Sequence, residues 1–346
     1  MVEENTSALL DALIDPAILV DSERQVVAAN KPARALLGEF QPGSDLSMML
    51  RHPAALHAVD AVLAGAPCSD ATFTQAAPVH LVFELHVANL PSRNSDGARA
   101  FCLLRDVTAA REAERIRADF VANVSHELRS PLSSLIGFIE TLQGPAREDA
   151  EAQARFLGIM NGEAKRMARL VNDLLSLSRV EAGEHIPPTG AVDLSKLLAE
   201  ILKSVSARAD DKGMTIDLEL PPDPPQVAGD ADELTEVFHN LIDNAVKYGR
   251  TGTQVKIKVT RHTRIPDVGD PGIAIAITNQ GEVIEPQQLP RLTERFYRID
   301  KGRSRDMGGT GLGLAIVKHI VNHHRGRLII DSDVEQGNTF TVFLPF

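Results

Sequence analysis

The chain has 346 residues, 43% hydrophobic and 24% charged, a composition of folded protein and a length that fits two or three domains. Thirty-six Lys and Arg against 47 Asp and Glu give a net charge of −11; this argues against general nucleic-acid binding, which needs basic surface to neutralise phosphates. Two cysteines exclude a disulfide framework or a Cys-rich zinc site.

No run approaches the ~18 apolar residues of a spanning helix, and the acidic start MVEENTSALL lacks the order of a secretion signal. A reduced, cytoplasmic chain, soluble as given, is expected, with membrane association through a partner left open.

Residues 17–20 (AILV) predict a strand, 21–23 a turn and 25–29 a returning strand. Asn30 is placed to cap a helix over KPARALLG, with Gly38 as its stop. Residues 79–90 alternate like a half-buried strand, 92–97 supply a turn, and 98–107 pair back. This predicts a small α+β domain with an antiparallel sheet, over residues 1–107.

From Thr108 the period changes. Ile116, Phe120, Val124, Leu128, Leu132, Leu135, Ile139 and Leu142 form one helical stripe, which Gly144-Pro145 ends. A second stripe runs through Phe156, Ile159, Met167, Leu170, Val171, Leu174, Leu177 and Val180 to Gly183. Two such helices form an antiparallel hairpin, predicted over 108–186. One hairpin leaves its stripe half uncovered, so pairing two copies as a four-helix bundle is the economical solution, and a homodimer is expected.

Residues 187–346 read as an α/β domain: a helix over 193–209, a strand over 214–220, a Pro-rich turn over 221–225 and a helix over 232–248. Strands over 255–262 and 272–279 follow, then an irregular stretch to 308, a helix from Thr310 to His324 and two closing strands.

Four sequence patches carry chemistry. In SHELRSPL (125–132), His126 lies beside the apolar stripe, and an exposed neutral imidazole is a competent nucleophile. Glu127 can accept a ring proton, Ser130 stands one turn on, and Pro131 should bend the helix. The zinc-protease reading of His-Glu-x-x-His fails, because Ser130 stands where the second ligand must be.

Asn240, Asn244, Lys247 and Tyr248 share one helical face; an amide oxygen can ligate Mg²⁺ and Lys247 can neutralise a phosphate. In GGTGLGL (308–314), glycines allow close backbone approach at a helix start that attracts phosphate. Ahead of it, Arg295-Phe296-Tyr297-Arg298 with Lys301, Arg303 and Arg305 suits a lid over nucleotide.

These motifs stand in the order and spacing of a bacterial sensor histidine kinase, which residues 108–346 resemble. VANVSHELRSPL, RLTERFYRID and GTGLGLAIVKHIV are most similar to the phosphate-regulon sensor kinases, and the N-terminal domain, with its exit through Asp106-Val107-Thr108, resembles a PAS sensor module. The resemblance implies a PAS-like domain, a dimerising phospho-acceptor hairpin and an α/β sandwich that binds ATP. It further implies ATP and Mg²⁺ as cofactors and the receiver domain of a response regulator as partner, with no direct nucleic-acid contact.

On matching positions, the resemblance makes His126 the phospho-acceptor, Glu127 its activating base and Ser130 the polar position used in dephosphorylating the partner. Asn244 would hold Mg²⁺ with Asn240 nearby, and Lys247 and Tyr248 would contact ATP. Arg298 would meet the γ-phosphate, and the loop Gly309, Thr310, Gly311, Leu312 and Gly313 would frame the phosphates.

One box departs from the family pattern. Where the family has Asp-x-Gly-x-Gly, with the Asp on the adenine amino group, this chain has Asn279-Gln280-Gly281-Glu282-Val283. Asn279 can accept through its amide oxygen without the charge, and Val283 replaces a glycine, so weaker ATP binding or altered base preference is expected. A non-catalytic dimeric scaffold or phosphatase with a failed ATP site is the alternative. A gyrase- or chaperone-type ATPase is disfavoured, because Asn240 stands where those families commonly have Glu. The remaining histidines read as surface or helix-end residues: His319 and His323 have metal spacing without an evident third ligand.

Overall fold

A computed structural model describes residues 8–346 apart from 42, 76–79, 92–96, 184–185, 223–225 and 301–308. The chain divides into two compact units, residues 1–122 and 123–346.

In the first unit β1 (Ala17–Val20) and β2 (Val26–Ala29) pair antiparallel, and Asn30 starts α1 (Lys31–Leu37). Asn30 is fully buried and serves three segments. Its Oδ1 accepts from the N–H groups of Ala17 (2.9 Å) and Ala33 (3.0 Å), and its Nδ2 donates to the carbonyls of Leu10 (3.1 Å) and Asp15 (2.9 Å). One amide therefore caps α1 and pins the entering chain to β1. Gly38, at φ +92°, ends the helix as expected.

α2 (Pro53–Leu63), β3 (Cys68–Gln75), β4 (Leu81–Asn89) and β5 (Ala100–Asp106) complete an antiparallel sheet of order β2-β1-β5-β4-β3. Its inner face packs Ile18, Val20, Phe73, Phe83, Leu85, Val87, Cys102 and Leu104 against Val59 and Val62 of α2. Burial pushes the Cys102 thiol up to about 12, so it behaves as a small apolar side chain.

Two of these elements escaped the sequence reading. β3 (CSDATFTQ) is a polar edge strand with Phe73 as its one fully buried side chain, and α2 opens on Pro53, which fits a first helical turn although it reads as a breaker. Most of the expected turn over 92–97 lies outside the described residues. The exit is stapled to β4: Val107 N–H donates to the Val82 carbonyl (2.9 Å), Val82 N–H donates to Thr108 Oγ1 (2.8 Å) and Arg111 pairs with Glu84 (3.0 Å).

α3 (Thr108–Gln143) and α4 (Ala150–Gly183) are the two expected long helices. α3 is continuous through buried Pro131. The ring removes the N–H that would bond to the Glu127 carbonyl one turn earlier. Leu170, Leu177 and Val180 are buried, while Leu132, Ile136, Ile139, Leu157, Val171 and Leu175 are each at least 42% exposed. The hairpin alone leaves much of its stripe uncovered.

β6 (Ala191–Val192) pairs with β8 (Val227–Ala228). Between them lie α5 (Leu194–Asp211), capped by Asp193, and β7 (Thr215–Glu219). α6 (Ala231–Tyr248), β9 (Gln254–His262), β10 (Gly272–Asn279), α7 (Gly313–His323), β11 (Arg327–Asp333) and β12 (Gly337–Pro345) follow. The sheet runs β11-β12-β10-β9-β7, antiparallel except for β7 beside β9.

Leu198, Ile201, Phe238, Leu241, Ile242, Ile316 and Ile320 from the helices are buried, as are Ile257, Ile275, Ile277 and Val342 from the sheet. Each such large side chain contributes about 1.5–3 kcal/mol by leaving water. α7 begins at Gly313 rather than at the expected Thr310. Gly311 has φ +77°, a left-handed conformation that a right-handed helix cannot contain. Part of the turn over 221–225 and Lys301, Arg303, Arg305 and Gly308 lie outside the described residues.

Candidate functional site

α6 is set by its cap and its stripe. Asp230 accepts from the N–H groups of Asp232 (2.9 Å) and Glu233 (3.0 Å), and Leu234, Val237, Phe238, Leu241, Ala245 and Val246 face the core. That leaves Asn240, Asn244 and Lys247 half-buried on the other side and Tyr248 exposed. Lys247 Nζ pairs with Asp243 Oδ2 at 2.6 Å, and Asp243 also pairs with Arg208 of α5. Burial and the Arg208 charge pull the Lys247 ammonium below its ordinary value. Lys212 Nζ closes the helix end on the carbonyls of Val246 (3.0 Å) and Lys247 (2.6 Å).

The glycine-rich loop lies against this face. A Cβ on Gly313 would stand 3.0 Å from Asn240 Oδ1, and one on Gly311 would stand 2.9 Å from Phe296 Cα. The Gly311 carbonyl accepts from Phe296 N–H at 2.8 Å, so the loop and the 295–298 segment are fastened together. Leu312 is buried as the anchor. Among the described residues no side chain caps α7, which leaves first-turn N–H groups for an anion. Thr310 Oγ1 donates to Asp173 Oδ2 of α4 at 2.6 Å.

Asn279 ends β10 with 2% exposure, and among the described residues its Nδ2 has no partner. Buried unpaired amides are rare and cost about 1–3 kcal/mol. A Cβ on Gly281 would stand 3.0 Å from that nitrogen and 2.8 Å from Asn338 Nδ2. Val283 has ordinary negative-φ backbone and is 48% exposed, so the residue standing for a glycine is unstrained. The orphaned amide, the glycine cradles and the uncapped helix start fit a nucleotide.

On the hairpin, His126 and Ser130 are exposed. Glu127 Oε2 accepts from Arg166 Nη2 at 2.7 Å and lies 3.5 Å from Arg298 Nη2. The carboxylate is thus turned to two guanidiniums rather than to its neighbour His126. Arg298 is buried, with its Nε 3.2 Å from a Cβ built on Gly311. It thus lies beside Gly311 of the loop and pairs with Glu127 of α3.

Arg166, Asp173, Ser176 and Glu236 escaped the sequence reading. Ser176 Oγ donates to Glu236 Oε2 at 2.6 Å, and burial raises the carboxyls of Asp173 and Glu236. Nothing in their spacing marks these residues; only the packing of α4 does.

Three family models match in register with this architecture. They are the PAS fold over residues 10–112, the His Kinase A (phospho-acceptor) domain over 116–183, and the histidine kinase-, DNA gyrase B- and HSP90-like ATPase over 229–346. The phosphate regulon sensor protein PhoR of Pseudomonas aeruginosa is 36% identical over 98% of this chain and 73% of its own length. The chain belongs to the sensor histidine kinases. It is an ATP-dependent protein-histidine kinase with a PAS domain.

The kinase is also 39% identical to the sensor protein kinase WalK of Staphylococcus saprophyticus, over 70% of this chain and 39% of that relative. The histidine kinase ThkA, solved in complex with response regulator protein TrrA, shares the fold at TM-score 0.52 and 19% identity, over 98% of this chain and 97% of that one. No described helix is long and apolar enough to cross a membrane.

Proposed function

We propose that His126 is the phospho-acceptor and that ATP binds across Asn240, Asn244, Lys247, Tyr248, Asn279 and the loop from Gly309 to Gly313. The observation that carries this reading is the position of Arg298, which lies beside Gly311 of the glycine-rich loop and pairs with Glu127, the residue next to His126. A lone pair on His126 attacks the γ-phosphorus, the bond from phosphorus to the β,γ-bridging oxygen breaks, and ADP leaves. Glu127 takes the ring proton, which requires it to leave Arg166. Catalysis rests on positioning and charge neutralisation by Lys247 and Arg298. Asn244 and Asn240 offer amide oxygens for Mg²⁺, which would supply charge neutralisation at the phosphates.

The phosphoryl group then passes to an Asp of a response regulator's receiver domain, and Ser130 serves the reverse, hydrolytic reaction. Two copies pair through the uncovered stripes of α3 and α4 to form a four-helix bundle. The kinase works at the cytoplasmic side, and its likeness to PhoR supports a role in signalling phosphate limitation.

The test is incubation with γ-labelled ATP and Mg²⁺, beside His126→Ala and Asn244→Ala. Acid-labile, base-stable label on the wild type and on neither variant is the expected result. Label that survives in His126→Ala overturns the acceptor assignment. No label on a folded, dimeric wild type favours the scaffold or phosphatase reading.

A further inference from the structure

α4 ends at Gly183 and β6 begins at Ala191, so residues 184–190 link the helical hairpin to the C-terminal α/β domain. The carbonyl of Ile186 on this linker accepts from His323 Nε2 at 2.8 Å. The other ring nitrogen, Nδ1, lies 2.9 Å from Glu233 Oε2 on α6. A carbonyl and an ionised carboxylate are both acceptors. A neutral imidazole has one N–H and satisfies one of them; the imidazolium satisfies both. His323 is 8% exposed, which leaves water little room to replace a lost partner. It also closes α7, whose carbonyl end favours a cation.

The adjacent histidine is engaged differently. His324 Nε2 accepts from Asp230 N–H at 3.0 Å, and its Nδ1 donates to the Ile320 carbonyl at 2.8 Å. That is a neutral ring, and burial holds it below its ordinary value. Glu233, His323 and His324 bring ligand atoms within 4.8 Å of one another. Every ring nitrogen already has a partner, so the cluster is built to hold a proton rather than a metal.

We propose that His323 is a proton-operated latch: its imidazolium ties the Ile186 carbonyl of the linker to Glu233, and loss of one ring proton releases the linker from the ATP-binding domain. The groups that face it are Glu233 and Asp230 at the start of α6 and His324 on its own helix. Glu181, one turn back on α4, is engaged by Arg295 and lies 3.8 Å from His319. The linker supplies only a carbonyl.

Burial opposes the charge, but the Glu233 carboxylate and the Ile186 carbonyl outweigh it and raise the imidazolium above its ordinary value. The latch is therefore closed below the ordinary histidine value of about 6.5. It opens as pH rises through the raised value. The inference concerns the linker and stands independently of the choice of acceptor histidine.

The test uses the full chain. In wild type carrying ¹⁵N-histidine, His323 should show two protonated nitrogens at pH about 6.5 and titrate above that value, while His324 stays neutral. Ile186→Trp, in a chain with no tryptophan, reports the linker while leaving the carbonyl contact in place. Its emission should shift with the same midpoint. In His323→Gln, whose amide has donors but takes up no proton, the emission should not titrate.

A His323 ring with a single N–H at that pH overturns the proposal. So does an equal emission titration in His323→Gln. If the glutamine variant loses nucleotide binding through misfolding, the wild-type ring titration alone decides.

Discussion

Arg166 Nη2 lies 2.7 Å from Glu127 Oε2, so the carboxylate beside the exposed His126 is held by the second helix of its own hairpin. The two side chains are 10% and 23% exposed, well away from the surface pairs that contribute little. Removing one partner strands the other charge. Arg166→Met should destabilise the second unit by about 1–3 kcal/mol, and Glu127→Gln by a similar amount, with the double variant costing well below the sum. A urea double-mutant cycle measures this. Additive single effects would mean that the pair is a surface contact with no energetic coupling.

Asn30 concentrates more bonds than any other single amide described. It satisfies two N–H groups and at least two carbonyls while fully buried. Asn30→Ala removes a cap worth about 0.5–2 kcal/mol and strands buried backbone groups at about 1–3 kcal/mol each. The first unit should lose about 3–5 kcal/mol, read as an early transition separate from that of residues 123–346 in denaturant. A loss under about 1 kcal/mol would show water replacing the side chain without penalty.

These two residues differ in how far the sequence reveals them. Asn30 stood before a helical pattern with a glycine stop, a local signal that the structure bears out. The long helices, the α6 face and the glycine loop were legible for the same reason, since period and punctuation are local. Arg166 and Asp173 were not, because their partners lie 39 and 137 residues away in the chain. β3 was missed because an edge strand with one fully buried side chain carries little apolar alternation. The start of α7 was misplaced because Gly311 turns left-handed, which a glycine allows and does not announce.

Asp173 gives a pH dependence with a definite sign. Burial raises its carboxyl despite Thr310, Arg169 and Lys247. A raised carboxyl means that ionisation penalises the folded state. The penalty grows as pH rises from the unfolded value of about 3.9 through the raised folded value. Asp173→Asn keeps an acceptor for Thr310 and cannot ionise. The variant should be at least as stable as wild type at neutral pH, and the two curves should converge in acid. Denaturation midpoints across pH about 4–8 test this. A variant less stable than wild type at neutral pH, with the two curves meeting in acid, would show that the Arg169 and Lys247 charges outweigh burial.

Asn279 separates folding from binding. Its Nδ2 has no partner among the described residues and the side chain is almost fully buried at the end of β10. Truncation therefore breaks no bond from that nitrogen, and relieves an orphan that offsets part of the lost packing. Asn279→Ala should leave the nucleotide-free thermal midpoint within a few degrees of wild type. Nucleotide is different, because a ligand that pairs with the amide stabilises only the protein that has it. ATP stabilises the folded protein by RT ln(1 + [L]/Kd), so a tenfold loss of affinity removes about 1.4 kcal/mol of that stabilisation at saturating ligand. The ATP-induced rise of the midpoint should shrink accordingly in the variant. An unchanged shift would place the purine away from Asn279; a collapsed nucleotide-free midpoint would make the amide a structural element of β10 instead.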